Sequence, residues 1–319
     1  MVNVKKKSVG MKHLFLCVTA MTMVIVGCKK NNTASEADGY KAIEKTFEDS
    51  AGGAEDGKKE EMKTSSDPVQ GANLSGLGNK EKGRFEGLVD VLMSPCGKAH
   101  SLRTSRNTDA SCLRSPFAVA FVIETIKDGA SDPEITDVYK TIYKADRQKY
   151  GFSLDHSPSM GPSDAQVTLV EFFDYGCPAC KALKPVFEKM VADYPGQVSL
   201  SYKMYPLPSH VDSAGAAQAA FAAKEQGKFK EMHEMLFANQ QEQQSDKLDA
   251  YAKKIGLNMK KFKADYAASE PLVAKDKKEG EDAKVHGTPS VYINGYHYEG
   301  PNIEKYLKMA IDEAIALSR

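Results

Sequence analysis

The chain has no charge of either sign to spare. Lysine plus arginine and aspartate plus glutamate each number 43, so the net charge at neutral pH is zero. A protein that coats nucleic acid or an acidic surface needs a cationic excess, so neither partner is expected. A long hydrophobic run is also missing. The most apolar stretch, "LFLCVTAMTMVIVG" at 14–27, falls short of the ~20 residues that a spanning helix needs. Cysteine is scarce, at six, and one pair alone has CxxC spacing, Cys177 and Cys180. No second CxxC or histidine pair lies nearby, which argues against a zinc ribbon, and no metal is expected. From 28 to 82 large apolar residues are few among Gly, Ser, Asn, Lys and Glu. Such a segment cannot bury enough surface to offset its ordering entropy, so a disordered, flexible tether is predicted there. Tyr40, Ile43 and Phe47 keep helical spacing within it, a single turn pair. No internal repeat is evident.

What is present begins with basic residues, Lys5, Lys6, Lys7 and Lys12, followed by the short apolar run and Gly27. That order predicts a secretory signal over 1–27, with an uncleaved anchor helix as the other reading. "IVG" before Cys28 resembles the lipobox of bacterial lipoproteins, which implies cleavage after Gly27 and lipidation of Cys28. The expected location is the cell envelope, periplasm-facing, with the membrane reached through a lipid anchor. Cys17 falls within the signal. Cys96, Cys112, Cys177 and Cys180 remain, an even number in an oxidising compartment, which favours disulfide chemistry.

A small all-α module is predicted over 83–150. In "SPFAVAFVIETIKDG" Ser115 is the expected cap, Pro116 suits the first turn and Gly129 ends the helix. Ser131 and Glu134 form a capping-box pattern before Ile135, Val138, Tyr139 and Ile142, which recur at helical spacing. Two antiparallel helices fit this stretch.

The α/β part spans 151–319. "QVTLVEFF" and "GQVSLSYKMY" have strand length. Between them Leu183, Val186, Phe187, Met190 and Val191 make a helical stripe. Strand, helix, strand is a βαβ unit, and it sets Cys177 at the N-terminus of the helix. A thiol there faces unpaired N–H groups and the positive end of the dipole, both of which favour thiolate. Cys180, one turn inside, suits a resolving thiol. A CxxC after a strand in a βαβ setting reads as a thioredoxin-like redox motif. A long helical stretch follows, broken near Gly227, Ser245 and Gly256. "PSVYINGYHYEG" then gives a hairpin signal at "NG".

"GPSDAQVTLVEFFDYGCPACKALKPVFEKM", "YPLPSHVDSAGAAQAAFAAKEQGKFKEMHEMLF" and "VHGTPSVYINGYHYEG" together resemble the DsbA-like branch of thioredoxin-fold oxidoreductases. The resemblance covers nearly all of 151–319. It implies a thioredoxin fold with a helical insertion at about 206–275, Cys177 as nucleophile and Cys180 as resolving thiol. It makes Pro289, after Thr288 in "GTPS", the cis-proline facing the sulfurs, and Pro185 the proline of the active-site helix. The expected partners are exported protein thiols or disulfides and a separate redox partner, with no diffusible cofactor. The dipeptide Pro178-Ala179 lacks the histidine that the family's strongest oxidants carry. That leaves oxidase, isomerase and reductase (of apocytochrome c, for example) open, with a non-redox binding lipoprotein as a reading from another class.

Glu171 interrupts an apolar strand on the side of Val167, Leu169 and Phe173. Buried there, its pKa should rise and poise it to exchange a proton with Cys180; a solvent-facing edge position is the alternative. His286, His210 and His233 rank lower, His233 as packing and His286 as a surface loop residue. Asp174 and Tyr175 should shape the approach to Cys177. Cys96 and Cys112 flank a polar loop and are expected to form a structural disulfide. "SPCGKAH" and "DGASDPEI" also resemble the thiol domain of cytochrome c maturation proteins, which would make the pair a second redox couple. With His100 the two cysteines could instead ligate a metal.

Overall fold

The computed structural model describes residues 67–318. The signal at 1–27, Cys28 and the tether up to residue 66 lie outside the described residues. The tether's last part differs from expectation. Val69 and Leu77 are buried and a helix, α1, runs over Asn79–Val91. Its sequence reads as polar because Gly83 and Gly87 dilute the apolar face, yet Phe85, Leu88 and Val89 are buried.

The module has four helices where two were predicted. α1 is followed by α2 (Leu102–Thr108), α3 (Ser115–Lys127) and α4 (Asp132–Ile142). α2 sits inside the segment expected to be a polar loop. A charged side chain holds it: buried Arg103 reaches Glu86 at 2.6 Å and Asp90 at 2.5 Å on α1. Such a pairing leaves no hydrophobic period to read. Ser115 is the first helical residue of α3, and Arg114 takes the cap position without a side-chain cap bond. The capping box of Ser131 and Glu134 starts α4. Cys96 and Cys112 are joined by a disulfide that closes the α2 segment. With both sulfurs bonded to one another, neither is a metal ligand.

The sheet has five strands in the order β1-β3-β2-β4-β5: β1 (Ser159–Met160), β2 (Val167–Phe173), β3 (Val198–Met204), β4 (Ser290–Ile293) and β5 (Tyr296–His297). β2 and β3 are parallel, as a βαβ crossover requires, and the crossing helix is α5 (Pro178–Asp193). β4 is antiparallel to β2 and joins β5 through Asn294-Gly295, both at positive φ (50° and 85°), the backbone that a two-residue hairpin demands. A side chain at Gly295 would also collide with the Tyr150 carbonyl.

Five helices separate β3 from β4: α6 (Ser213–Lys224), α7 (Phe229–Ala238), α8 (Ser245–Lys254), α9 (Met259–Ala268) and α10 (Glu270–Asp282). The insertion therefore extends past the expected end near 275. Its breaks fall at Gly227, before Ser245 and at Gly256, as the sequence suggests. α11 (Glu304–Leu317) ends the described chain.

Because β2 is central, both its faces are covered. Leu169 and Phe173 pack with Phe187, Met190 and Leu307 on one side. Val170 and Phe172 pack with Tyr205 and Tyr292 on the other. Polar ties fix the rest. Lys203 is fully buried and pairs with fully buried Asp276 at 2.8 Å, locking α10 to β3. Arg114 meets Glu313 at 2.6 Å, and Lys305 meets Asp128 at 2.5 Å, joining the module to α11.

The disulfide closes a loop with a sequence separation of 16. In the chain-entropy model such a closure stabilises by about 3 kcal/mol. Replacing both Cys96 and Cys112 by Ser should lower the free energy of unfolding by roughly that amount. Urea unfolding followed by circular dichroism checks it, and an unchanged midpoint would show that the bond constrains nothing.

Candidate redox site

The strand β2 ends at Phe173 and the next four residues turn the chain into α5. Cys177 is the N-cap of α5 in extended conformation, and Pro178 follows at the first helical position, where no N–H is needed. The cysteines are free thiols; Cys177 keeps 6% of its surface and Cys180 none. Cys177, expected to be exposed, thus reaches solvent only along a narrow edge, and it is the one member of the pair that does.

The surroundings split the two thiols. The Cys177 pKa is lowered to about 5. The largest cause is the hydrogen bond from the Cys180 thiol. Burial opposes it, and the Thr288 hydroxyl and the N–H groups of Cys180 and Ala179 add to it. That hydroxyl is buried and makes no other hydrogen bond among the described residues. When protonated, the Cys177 thiol has an acceptor in the Thr288 carbonyl at 3.3 Å. Cys180 moves the opposite way: burial pushes its pKa far up, helped by its bond to Cys177 and by the nearby Glu171 carboxylate. The bond between Thr288 and Pro289 is cis, and the Thr288 carbonyl lies beside the Cys177 sulfur.

Glu171 is 3% exposed in the middle of β2, opposite Tyr202 on β3 and Val291 on β4. The solvent-facing alternative does not hold, because the strand is central. Burial, then Glu188 and Cys177, push its pKa up to about 8. Lys184 pulls the other way. Lys184, in the apolar stripe of α5, pairs with Glu188 at 2.9 Å and with Glu234 at 2.7 Å. Glu188 also accepts from the Tyr202 hydroxyl at 3.3 Å. Lys184 and Glu188 went unnoticed in sequence, although a lysine inside an apolar stripe with a glutamate four residues on is a legible signal.

Asp174 organises the turn. Its carboxylate accepts from Gly176 N at 2.6 Å, Ser213 Oγ at 2.5 Å and Leu207 N at 2.7 Å, with His210 Nδ1 at 2.8 Å. His210 lies directly over Gly176, where an added Cβ would come within 2.8 Å of the imidazole. From the insertion, Gln240 Nε2 donates to the carbonyls of Tyr175 at 2.8 Å and Cys177 at 2.9 Å. Gln243 adds a bond to Tyr175 O at 3.2 Å. Neither glutamine is legible in the sequence, since an amide reaching a distant carbonyl leaves no periodicity.

His233 is buried among Phe173, Tyr175, Tyr202, Phe229 and Phe237, with Nδ1 at 3.0 Å from the Tyr175 hydroxyl. Burial pushes its pKa down to about 3, so it packs as a neutral ring. His286 is exposed on the loop before Gly287. Pro185 lies inside α5.

A family model described as thioredoxin matches residues 153–313. The Na(+)/H(+) antiporter NhaA 3 of Salinispora tropica is 34% identical over 168 residues, covering 52% of this chain and 26% of that protein. The chain thus spans about a quarter of the length of this curated relative. A thioredoxin-like oxidoreductase from Silicibacter pomeroyi is 29% identical with a TM-score of 0.46, covering 50% of this chain and 92% of that one. BdbD from Bacillus subtilis, in its oxidised form, is 26% identical with a TM-score of 0.47, covering 53% and 98%.

The two shifted acids give opposite pH slopes. Cys177 falls from 9.0 to about 5, so between those values the folded reduced protein has released a proton that the unfolded chain keeps, and stability rises with pH. Glu171 rises from 4.5 to about 8, so between those values the folded protein keeps a proton that the unfolded chain has lost, and stability falls with pH. In reduced wild type the two slopes oppose each other where they overlap. Reduced Glu171→Gln should therefore gain thermal stability from about pH 5 to about pH 8 more steeply than wild type. Differential scanning calorimetry across that range reads it, and parallel profiles would remove the raised carboxyl from the account.

Proposed function

Because the chain belongs to the thioredoxin family, we propose that it is a thiol–disulfide oxidoreductase of exported proteins, working through Cys177 and Cys180. The observation that carries this reading is the split of the two thiols, one held near a pKa of 5 at a helix N-terminus and the other pushed far up behind it. In the oxidising direction a substrate thiolate attacks Cys177 Sγ and the bond to Cys180 breaks. Cys180 leaves with the electron pair and takes a proton from Glu171, which burial keeps protonated at neutral pH. A second substrate thiolate then attacks the substrate sulfur of the mixed disulfide. Cys177 leaves as thiolate, and the substrate has lost two electrons to the dithiol.

The low Cys177 pKa makes it a good leaving group and stabilises the reduced protein, so the oxidising direction is favoured. Isomerase or reductase action is the second reading, supported by the absence of a histidine between the cysteines. A separate redox partner restores the disulfide, and no diffusible cofactor takes part. The tether and the "IVGC" sequence support anchoring at Cys28 on the periplasmic side of the envelope. The helical module is a docking or dimerising element, its Cys96–Cys112 bond structural.

A reduction potential near −120 mV would mark an oxidase, whereas one near −270 mV would mark a reductase. Equilibration of the dithiol against glutathione or dithiothreitol measures it. Cys180→Ser should accumulate covalent adducts with partner proteins on non-reducing gels, and Cys177→Ser none, because the mixed disulfide lasts when its resolving thiol is missing. Adducts on the Cys177 variant alone would invert the two roles, and none on either would favour the non-redox binder. Cys28→Ser should leave the protein unlabelled by fatty acid and outside the membrane fraction; label on the variant would rule out this anchor.

A further inference from the structure

Away from the dithiol, a cavity of about 520 Å³ opens between the module and the outer edge of the sheet. Its walls are mixed, the apolar part coming from Ile142 on the module side, Ile293 on β4, and Ala310, Ala314 and Leu317 along α11. Such a volume suits a small-molecule ligand. Its charges do not balance. Four cations line it, Arg114, Lys144, Arg147 and Lys149, against two carboxylates, Glu299 and Glu313. Both carboxylates are engaged, Glu313 by Arg114 at 2.6 Å and Glu299 by Lys144 at 2.6 Å. His297, also in the lining, is held toward its neutral form by burial.

Arg147 and Lys149 are left over. Neither donates a hydrogen bond or pairs with a carboxylate among the described residues. Each instead lies against the ring of Tyr296, the guanidinium at 4.8 Å and the ammonium at 5.8 Å from its centroid. The backbone sets them there. Lys149 bridges Tyr296, and Tyr150 N donates to Gly295 O at 2.8 Å, so 147–150 runs along β5 as a short extended segment. Two residues apart on such a segment, Arg147 and Lys149 share a face. A guanidinium offers five donors, and this one is half-buried with none accepted. Burial and the neighbouring Arg114 charge lower its pKa, outweighing the opposite pull of Glu313, which Arg114 already engages.

We propose that this cavity binds a small amphiphilic anion, its phosphate or carboxylate group between Arg147 and Lys149 and its aliphatic or aromatic body along Ile142, Ile293 and Leu317. The headgroup supplies the acceptors that the two cations lack, in the bidentate geometry a guanidinium favours. The body covers apolar wall that faces water. Wall residues come from both the module and the sheet domain, so occupancy also ties the two together. The ligand is either a free metabolite-sized anion or the headgroup end of an anionic lipid.

The test is isothermal titration of the full chain with hexyl phosphate, inorganic phosphate and hexanol. Hexyl phosphate should saturate at one site, bind at least tenfold more tightly than inorganic phosphate, and weaken as salt is raised, while hexanol gives no saturable heat. Arg147→Ala with Lys149→Ala should weaken hexyl phosphate at least tenfold. The charge-preserving pair Arg147→Lys with Lys149→Arg should retain most of it, and thiol–disulfide exchange should be unchanged in both. No saturable heat at millimolar hexyl phosphate, or equal affinity in the alanine pair, overturns the site. Equal affinity for hexyl phosphate and inorganic phosphate overturns the amphiphilic assignment. Vesicles carrying phosphatidic acid compete with hexyl phosphate if the natural ligand is a lipid, and leave the titration unchanged if it is a free anion; both results keep the site.

Discussion

Four donors converge on the carboxylate of Asp174, and the rest of the site depends on that convergence. Gly176 N belongs to the turn before Cys177, Leu207 N and His210 to the loop after β3, and Ser213 Oγ to the first turn of α6. One buried side chain therefore ties the end of the central strand, the start of the redox helix and the entry to the insertion. A buried acceptor left unpaired costs about 1–3 kcal/mol and a charged one more, so the four groups hold one another in a single arrangement. That arrangement aims the N–H groups of α5 at the Cys177 sulfur.

Beneath that turn, the same burial acts in opposite senses on three acids. Cys177 is surrounded by donors and ionises easily, while burial outweighs the one backbone donor at Cys180, from Asp174, and keeps Glu171 protonated as well. The negative charges that would arise on Glu171 and Cys180 repel one another across the interior, so ionising one disfavours ionising the other. Lys184 and Glu188 lie at the border of this region, the first easing and the second opposing a charge on Glu171.

How much of this was legible in the sequence depended on the kind of interaction. β2, α5 and β3 follow hydrophobic periodicity, and Cys177 at the head of α5 follows from their order. Glu171 was readable because a carboxylate inside "QVTLVEFF" breaks an apolar run, and its face was set by alternation with Leu169 and Phe173. The hairpin followed from the "NG" that positive φ at Asn294 and Gly295 requires. What stayed hidden rests on polar partners distant in sequence. α2 is held by Arg103 across to Glu86 and Asp90, and α1 spends two of its positions on glycine. The resemblance places the end of the insertion near 275, yet α10 continues past it, fastened by buried Asp276 to Lys203.

Gln240 carries a consequence for how far this protein could be pared down. A shortened version keeping the sheet, α5 and α11 would retain both cysteines and every strand contact. It would lose the amide that caps the carbonyls of Tyr175 and Cys177, and with Leu207, His210 and Ser213 it would lose three of the four partners of Asp174. Water would take those places, and water reorients freely where a glutamine does not. The helical insertion is thus part of the scaffold that holds the two cysteines, and a minimal core cut from this chain would be a dithiol on a loosened hinge.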